Sequence, residues 1–155
     1  LATLRNSAMA CPDLQLYIAS DATYHDIGQF LGINFNNCAA TSDGYFRARQ
    51  RIGHIGLWWK TDVAFEWGQY EAPWMRMLSF RSPYLWSAIR DHIVLDLCYE
   101  LNRRFPETYL GLYDTCSVMF LLRDNVLSLN VDSKEYFSRW PLRFQSANWQ
   151  NLPPI

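Results

Sequence analysis

The sequence predicts an α+β domain: a two-layer sandwich with a mixed or antiparallel sheet and two to three helices, ferredoxin-like or related. Three observations lead there. Short runs of alternating apolar residues recur along the chain, as in Leu14, Leu16 and Ile18, which is the period of a half-buried strand. One long segment between Ser82 and Phe105 has helical spacing instead. The helices are separated by runs of two or more strands, which argues against a regular βαβ repeat.

A length of 155 residues suits one core. Half the residues are hydrophobic and 19% are charged, so the chain is expected to fold rather than remain disordered. The net charge of -1 gives no global field for nucleic acid or an anionic membrane. Residues 1–12, beginning with Leu1, are read as a trimmed or added leader, residues 13–149 as the domain and 150–155 as a tail. No apolar run approaches the roughly 20 residues of a membrane span. Cys11, Cys38, Cys98 and Cys116 lack any zinc-ribbon spacing, and a reduced, cytoplasmic protein is the expectation.

The first strand runs from Leu14 to Ala19, and "SDATYHDIGQFLG" follows as a short helix. Ser20, Asp21 or Thr23 can cap it, Tyr24, Ile27, Phe30 and Leu31 form its stripe, and Gly32 stops it. Asn34 to Gly44 reads as a loop with a turn at Ser42-Asp43-Gly44. "YFRARQRIGHIGLWWKTD" reads as extended, with Gly53 and Gly56 marking a bulge or a close backbone approach. The segment from Ala64 to Phe80 is poorly patterned, though "WMRMLSF" fits a strand.

Ser82 as cap and Pro83 at the first helical position open the long helix, whose stripe is Leu85, Ile89, Ile93, Leu97, Leu101 and Phe105. Three strands follow at Tyr109–Tyr113, Ser117–Leu122 and Val126–Val131, the last two joined by a tight turn at Arg123-Asp124-Asn125. Asp132 or Ser133 caps "KEYFSRW", Pro141 ends it, and a last extended piece contains Leu142 and Phe144.

No common catalytic motif is present: there is no G-x-S-x-G, H-E-x-x-H, G-x-G-x-x-G or phosphate-binding loop. His92, Asp96 and Glu100 fall on one helix face, where a solvated or ion-paired surface is the commoner meaning than a metal site. His25 lies beside Asp21 and Asp26, and His54 between two glycines; neither spacing supplies a nucleophile or a substrate geometry. No catalytic residue, metal or cofactor is therefore expected. Arg47, Arg49 and Arg51 alternate with Phe46, Ala48 and Gln50, which puts three cations on one strand face. Such a stripe can meet an acidic protein or a phosphate backbone.

The quoted elements, from "LQLYIASDATYHDIGQFLGI" through "GLWW" and "AIRDHIVLDLCYEL" to "SVMFLL", "VLSLN" and "SKEYFSRWPLRF", resemble a bacterial family of small α+β domains of unknown function. Some of its members resemble immunity proteins of polymorphic toxin systems. The likeness covers most of residues 14–145; it departs at "INFNNCAA", where a proline is expected, and at a longer, more aromatic Val63–Ser79. It implies a non-enzymatic protein-binding domain that occludes a cognate toxin. Trp67, Trp74, Tyr70, Arg47, Arg49 and Arg51 are the expected partner contacts, since Trp, Tyr and Arg dominate interface anchors. The alternative is a small enzyme or nucleic-acid-binding effector that uses the histidines with carboxylates, or the arginine stripe.

Overall fold

The fold is built on one wide sheet, seen in a computed structural model that describes residues 13–20, 22–32, 39–40, 46–61, 68–74, 76–107, 109–113, 116–137, 143–144 and 147–155, with only the backbone described at 46–51 and 59–61. Its strands are β1 (Leu14–Ile18), β2 (Ala39–Ala40), β3 (Phe46–Ile52), β4 (Ile55–Thr61), β5 (Arg76–Arg81), β6 (Tyr109–Tyr113), β7 (Ser117–Arg123), β8 (Val126–Asn130) and β9 (Ala147–Gln150). The helices are α1 (Tyr24–Leu31), α2 (Ser87–Arg104) and the short α3 (Lys134–Phe137). The order across the sheet is β2-β3-β4-β5-β1-β6-β7-β8-β9. All pairs are antiparallel except β8–β9. This is an α+β fold with a sheet wider than the four-stranded ferredoxin-like arrangement.

The first strand sits near the middle because both of its edges are paired, to β5 and to β6. Its alternation sets two faces. Leu14, Leu16 and Ile18 join Leu57, Phe80, Leu122, Leu127 and the helices in the main core. Tyr17 and Ala19 point the other way, into a second apolar cluster with Tyr70, Trp74, Leu110, Leu112, Val118 and Leu152.

Local chemistry explains several element ends. Thr23 caps α1 in a capping box: its hydroxyl accepts from the Asp26 N–H, and Asp26 accepts from the Thr23 N–H. Gly32 closes α1 in the left-handed region at φ 66. The turn between β7 and β8 is the two-residue type, with Asp124 and Asn125 both at positive φ. Asn130 caps the single 3-10 turn Val131–Ser133, accepting from the Asp132 N–H, so the cap lies ahead of Asp132 and Ser133.

Other expectations are corrected. The stretch around "RIGHIG" is a hairpin: Ile52 pairs with Ile55, and Gly53 takes φ 56 in the turn between β3 and β4. The α-helix starts at Ser87 after a 3-10 turn at Tyr84–Trp86, and the Ser82 hydroxyl is buried with no hydrogen-bond partner rather than acting as a cap. The final strand is β9 at Ala147–Gln150, beyond Phe144. Residues past it belong to the fold: Leu152 is buried, Asn130 donates to the Leu152 carbonyl at 2.9 Å, and the Ile155 N–H donates to Cys116 at 2.9 Å. The leader, the turn at Ser42-Asp43-Gly44, Asp21, Cys11, Cys38, Trp67, Pro141 and Leu142 lie outside the described residues. No helix among the described residues is long and apolar enough to cross a membrane.

Gly111 on β6 faces Phe120 across the strand pair, and a Cβ built at Gly111 would overlap the Phe120 ring. The ring is fully buried and packs edge-on against Phe137 at 6.4 Å, so it has little room to yield. Gly111→Ala should therefore lower unfolding free energy by about 1–3 kcal/mol. In urea melts, the penalty of Gly111→Ala should shrink when Phe120→Leu is present; an equal penalty in both backgrounds would contradict the contact.

Candidate functional site

The sequence-predicted histidine sites do not assemble into catalytic chemistry. His25 and His54 are exposed, the latter tilted against Trp86 with ring centroids 4.8 Å apart. Burial pushes the His92 imidazole below its ordinary range, while Asp96 one turn on pulls it the other way. Glu100 is engaged by Arg143 and by Arg103, the latter at 3.8 Å. Asp26 belongs to the capping box and pairs with Arg104 at 3.3 Å. Among the described residues, no group of three His, Cys, Asp or Glu side chains could hold a metal ion. Cys98 is buried, and burial pushes its thiol far above the range in which a thiolate forms, whereas Cys116 is exposed.

One polar cluster lies inside the main core. Arg90 and Asp91, consecutive on α2, are both fully buried. The Arg90 Nε donates to Asp91 Oδ1 at 3.0 Å, Arg90 Nη2 donates to the Tyr113 hydroxyl at 2.6 Å, and that hydroxyl donates to Asp91 Oδ2 at 3.0 Å. Burial pushes the Asp91 carboxyl up, against the opposing pull of the Arg90 guanidinium and the Tyr113 hydroxyl. Each of the three groups engages the other two, which is the geometry of a structural clamp.

The expected partner contacts divide. Tyr70 and Trp74 are 4% and 5% exposed, within the second cluster rather than on the surface. The Trp74 indole donates to the Tyr70 carbonyl at 3.1 Å, the Tyr70 hydroxyl donates to the Pro153 carbonyl at 2.7 Å, and Trp74 meets Tyr17 edge-on at 6.4 Å. The segment is poorly patterned because it is an irregular cover for a sheet face, with neither a helical nor a strand period to read. Trp67 lies outside the described residues. Arg47, Arg49 and Arg51 occupy register positions opposite Lys60, Trp58 and Gly56. They therefore share the face of Trp58, which is 38% exposed on the side away from the helices.

Sequence reasoning missed a second surface. The first part of the stripe assigned to the core lies outside it: Leu85 is 88% exposed and Ile89 39%, with Tyr84 exposed beside them. The reason is geometric. Residues four apart on an α-helix are about 40° out of phase, so a strict four-residue repeat winds around the axis. It starts outside at Ile89, is half-buried at Ile93, and reaches the core at Leu97 and Leu101. The inward face is carried instead by Arg90, Asp91, Val94, Leu97, Cys98 and Leu101.

Ile93 continues the exposed stripe into a groove of about 490 Å³ between α1 and α2, lined also by Phe30, Leu31, Ile52 and Leu97. Asp96, Glu100 and Arg143 supply its charges. A neighbouring hollow shares Gln29, Phe30 and Glu100 and extends past Arg103 and Arg104. Arg143 also stacks on Tyr99 at 4.3 Å, which fixes that wall. Exposed apolar side chains and paired charges thus lie side by side on this face. Comparison with family models, with curated proteins and with solved structures finds no match.

The capping box positions α1, the wall that carries Phe30. Burial opposes charge on Asp26, but the Thr23 N–H and hydroxyl, then Arg104 and His25, outweigh it and hold its carboxyl below the usual range. A lowered folded pKa means that the stabilisation is present above the ordinary carboxylate pKa and is lost as pH falls through the lowered value. Asp26→Asn should cost about 0.3–1 kcal/mol at neutral pH. Urea titrations at decreasing pH should show the gap to wild type closing below pH of about 4; a gap independent of pH would contradict this role.

Proposed function

We propose that the chain is a non-enzymatic protein-binding domain, in its most concrete form an immunity-type protein that occludes a cognate bacterial toxin. The observation that carries this reading is the exposed ridge of Tyr84, Leu85 and Ile89. Holding these side chains in water is unfavourable, and covering them with a partner returns the hydrophobic free energy. Supporting features are the absence of common catalytic motifs in the sequence, the histidines engaged elsewhere or exposed, and the family resemblance of its strands and helices. A cytoplasmic site of action belongs to the same reading.

The test is co-expression with the neighbouring reading frame of the native host, followed by co-purification and a viability assay. A stable complex and protection are expected, with Leu85→Asp weakening the complex by at least about tenfold. Its melting temperature should stay near wild type, because Leu85 is already in solvent. Absence of any complex would refute the reading.

The register of β3 favours a second reading, nucleic-acid binding on the opposite face, where three arginine positions share a side with exposed Trp58. In that case affinity for single-stranded RNA should fall steeply with salt and drop further in an Arg47/Arg49/Arg51→Ala variant. Salt-insensitive or absent binding would remove it.

A further inference from the structure

The groove beside the exposed ridge also specifies the chemistry of its occupant. From Ile89 on the ridge to Glu100 in the groove lining, the exposed ridge and the groove together follow the axis of α2 for about 16 Å at a helix rise of about 1.5 Å per residue. That length matches about three turns of another helix. The ridge ends at Ile89, and the groove continues it with an apolar lining of Ile93, Leu97, Ile52, Leu31 and Phe30. Its charged groups are unequal. Arg143 pairs with Glu100, while Asp96 is exposed and forms no ion pair among the described residues. Among the charges that line this groove, Asp96, Glu100 and Arg143, the excess is thus negative and sits at Asp96 beside the apolar track, while Arg103 and Arg104 belong to the neighbouring hollow.

We propose that this groove and the ridge of Leu85 and Ile89 together receive an amphipathic helix of a protein partner, which presents apolar residues at i, i+4 and i+7 and a Lys or Arg to Asp96. The proposal rests on the protein-binding reading and names what that surface recognises. A helix is the occupant that matches a track of this length and periodicity, since its apolar residues recur along one side. A basic residue follows from Asp96: covering a carboxylate without a partner costs more than the apolar contacts around it return. A second copy of this chain fits poorly, because its own ridge of Tyr84, Leu85, Ile89 and Ile93 brings no cation to Asp96.

The experiment is selection from a randomised peptide library displayed on phage against the full chain, followed by anisotropy titration of the fluorescein-labelled peptides that emerge. Selected peptides should share helical apolar spacing with one Lys or Arg, and gain helical circular dichroism on binding. Leu85→Asp and Ile89→Asp should each weaken them by at least about tenfold. Asp96→Lys should weaken the basic peptides and, on reselection, favour acidic ones. Peptides without helical spacing, or indifferent to both Leu85→Asp and Asp96→Lys, would overturn the proposal. So would a dimer in sedimentation experiments that Leu85→Asp dissociates, since a second copy would then be the occupant. If the host partner binds and depends on Leu85 while the peptides show no helical or basic preference, this inference fails and the protein-binding reading stands. If no host complex forms at all, that reading fails instead.

Discussion

The orientation of α2 depends on the buried triangle of Arg90, Asp91 and Tyr113, and the rest of the molecule follows from that orientation. Two opposite charges fully removed from water carry a large desolvation cost, which is offset only when each polar atom finds a partner. Here the guanidinium, the carboxylate and a hydroxyl from the end of β6 close on one another. The Arg90 guanidinium also lies over the Tyr113 ring at 5.2 Å. Removing Arg90 or Asp91 would leave a buried charge without its partner, at a cost of about 3–5 kcal/mol. The triangle thus restricts α2 to one rotation about its axis. With Arg90 and Asp91 both turned inward, the inward direction lies between them, and Ile89 stands about 150° from it on the outer face. The polar clamp inside and the apolar ridge outside are two results of the same constraint.

The sheet solves a different problem on its other side. A wide sheet with helices on one face leaves the reverse face to be covered, and here the cover is uneven. Over β1, β6 and β7 the segment containing Tyr70 and Trp74, together with the tail at Leu152, buries Tyr17, Leu110, Leu112 and Val118. Asn130 ties this cover down, donating to the Val118 carbonyl at 2.6 Å and to that of Leu152. Trp58 on β4 belongs to neither described cluster and is 38% exposed. The aromatic density of the sequence therefore serves more than one end: Tyr70 and Trp74 are internal cover, whereas Trp58 keeps 38% exposure.

Much of the fold was legible because local chemistry and burial agree. The alternation of Leu14, Leu16 and Ile18, a cap among Ser20, Asp21 and Thr23, the stop at Gly32 and the turn at Arg123-Asp124-Asn125 each have a local cause that tertiary contacts do not override. The arginine parity was legible in the same way, since strand period fixes which positions share a face. Trp74 and Tyr70 were misread because an irregular segment has no period to announce its burial; only the apolar reverse faces of β1 and β6 hint that a cover is needed. The ridge was missed for a more instructive reason. A four-residue repeat looks like a core stripe over two turns but drifts around the helix over five. The buried charges Arg90 and Asp91, which a hydropathy pattern places in solvent, mark the true inward face.

That inversion bears on how the exposed surface can bind. Association costs free energy whenever side chains or backbone must become ordered at the interface. Ile89 and Ile93 stand on a helix whose rotation is set from within by the Arg90 clamp and whose far end is anchored by Leu97, Cys98 and Leu101 in the core. The opposite wall of the groove is α1, joined to α2 by the Arg104–Asp26 pair. Both walls are therefore held from within, so in the proposed binding the ordering cost would fall on the partner. An internal polar network that contributes little net stability can in this way contribute to recognition, by keeping apolar side chains outside the core that would otherwise absorb them.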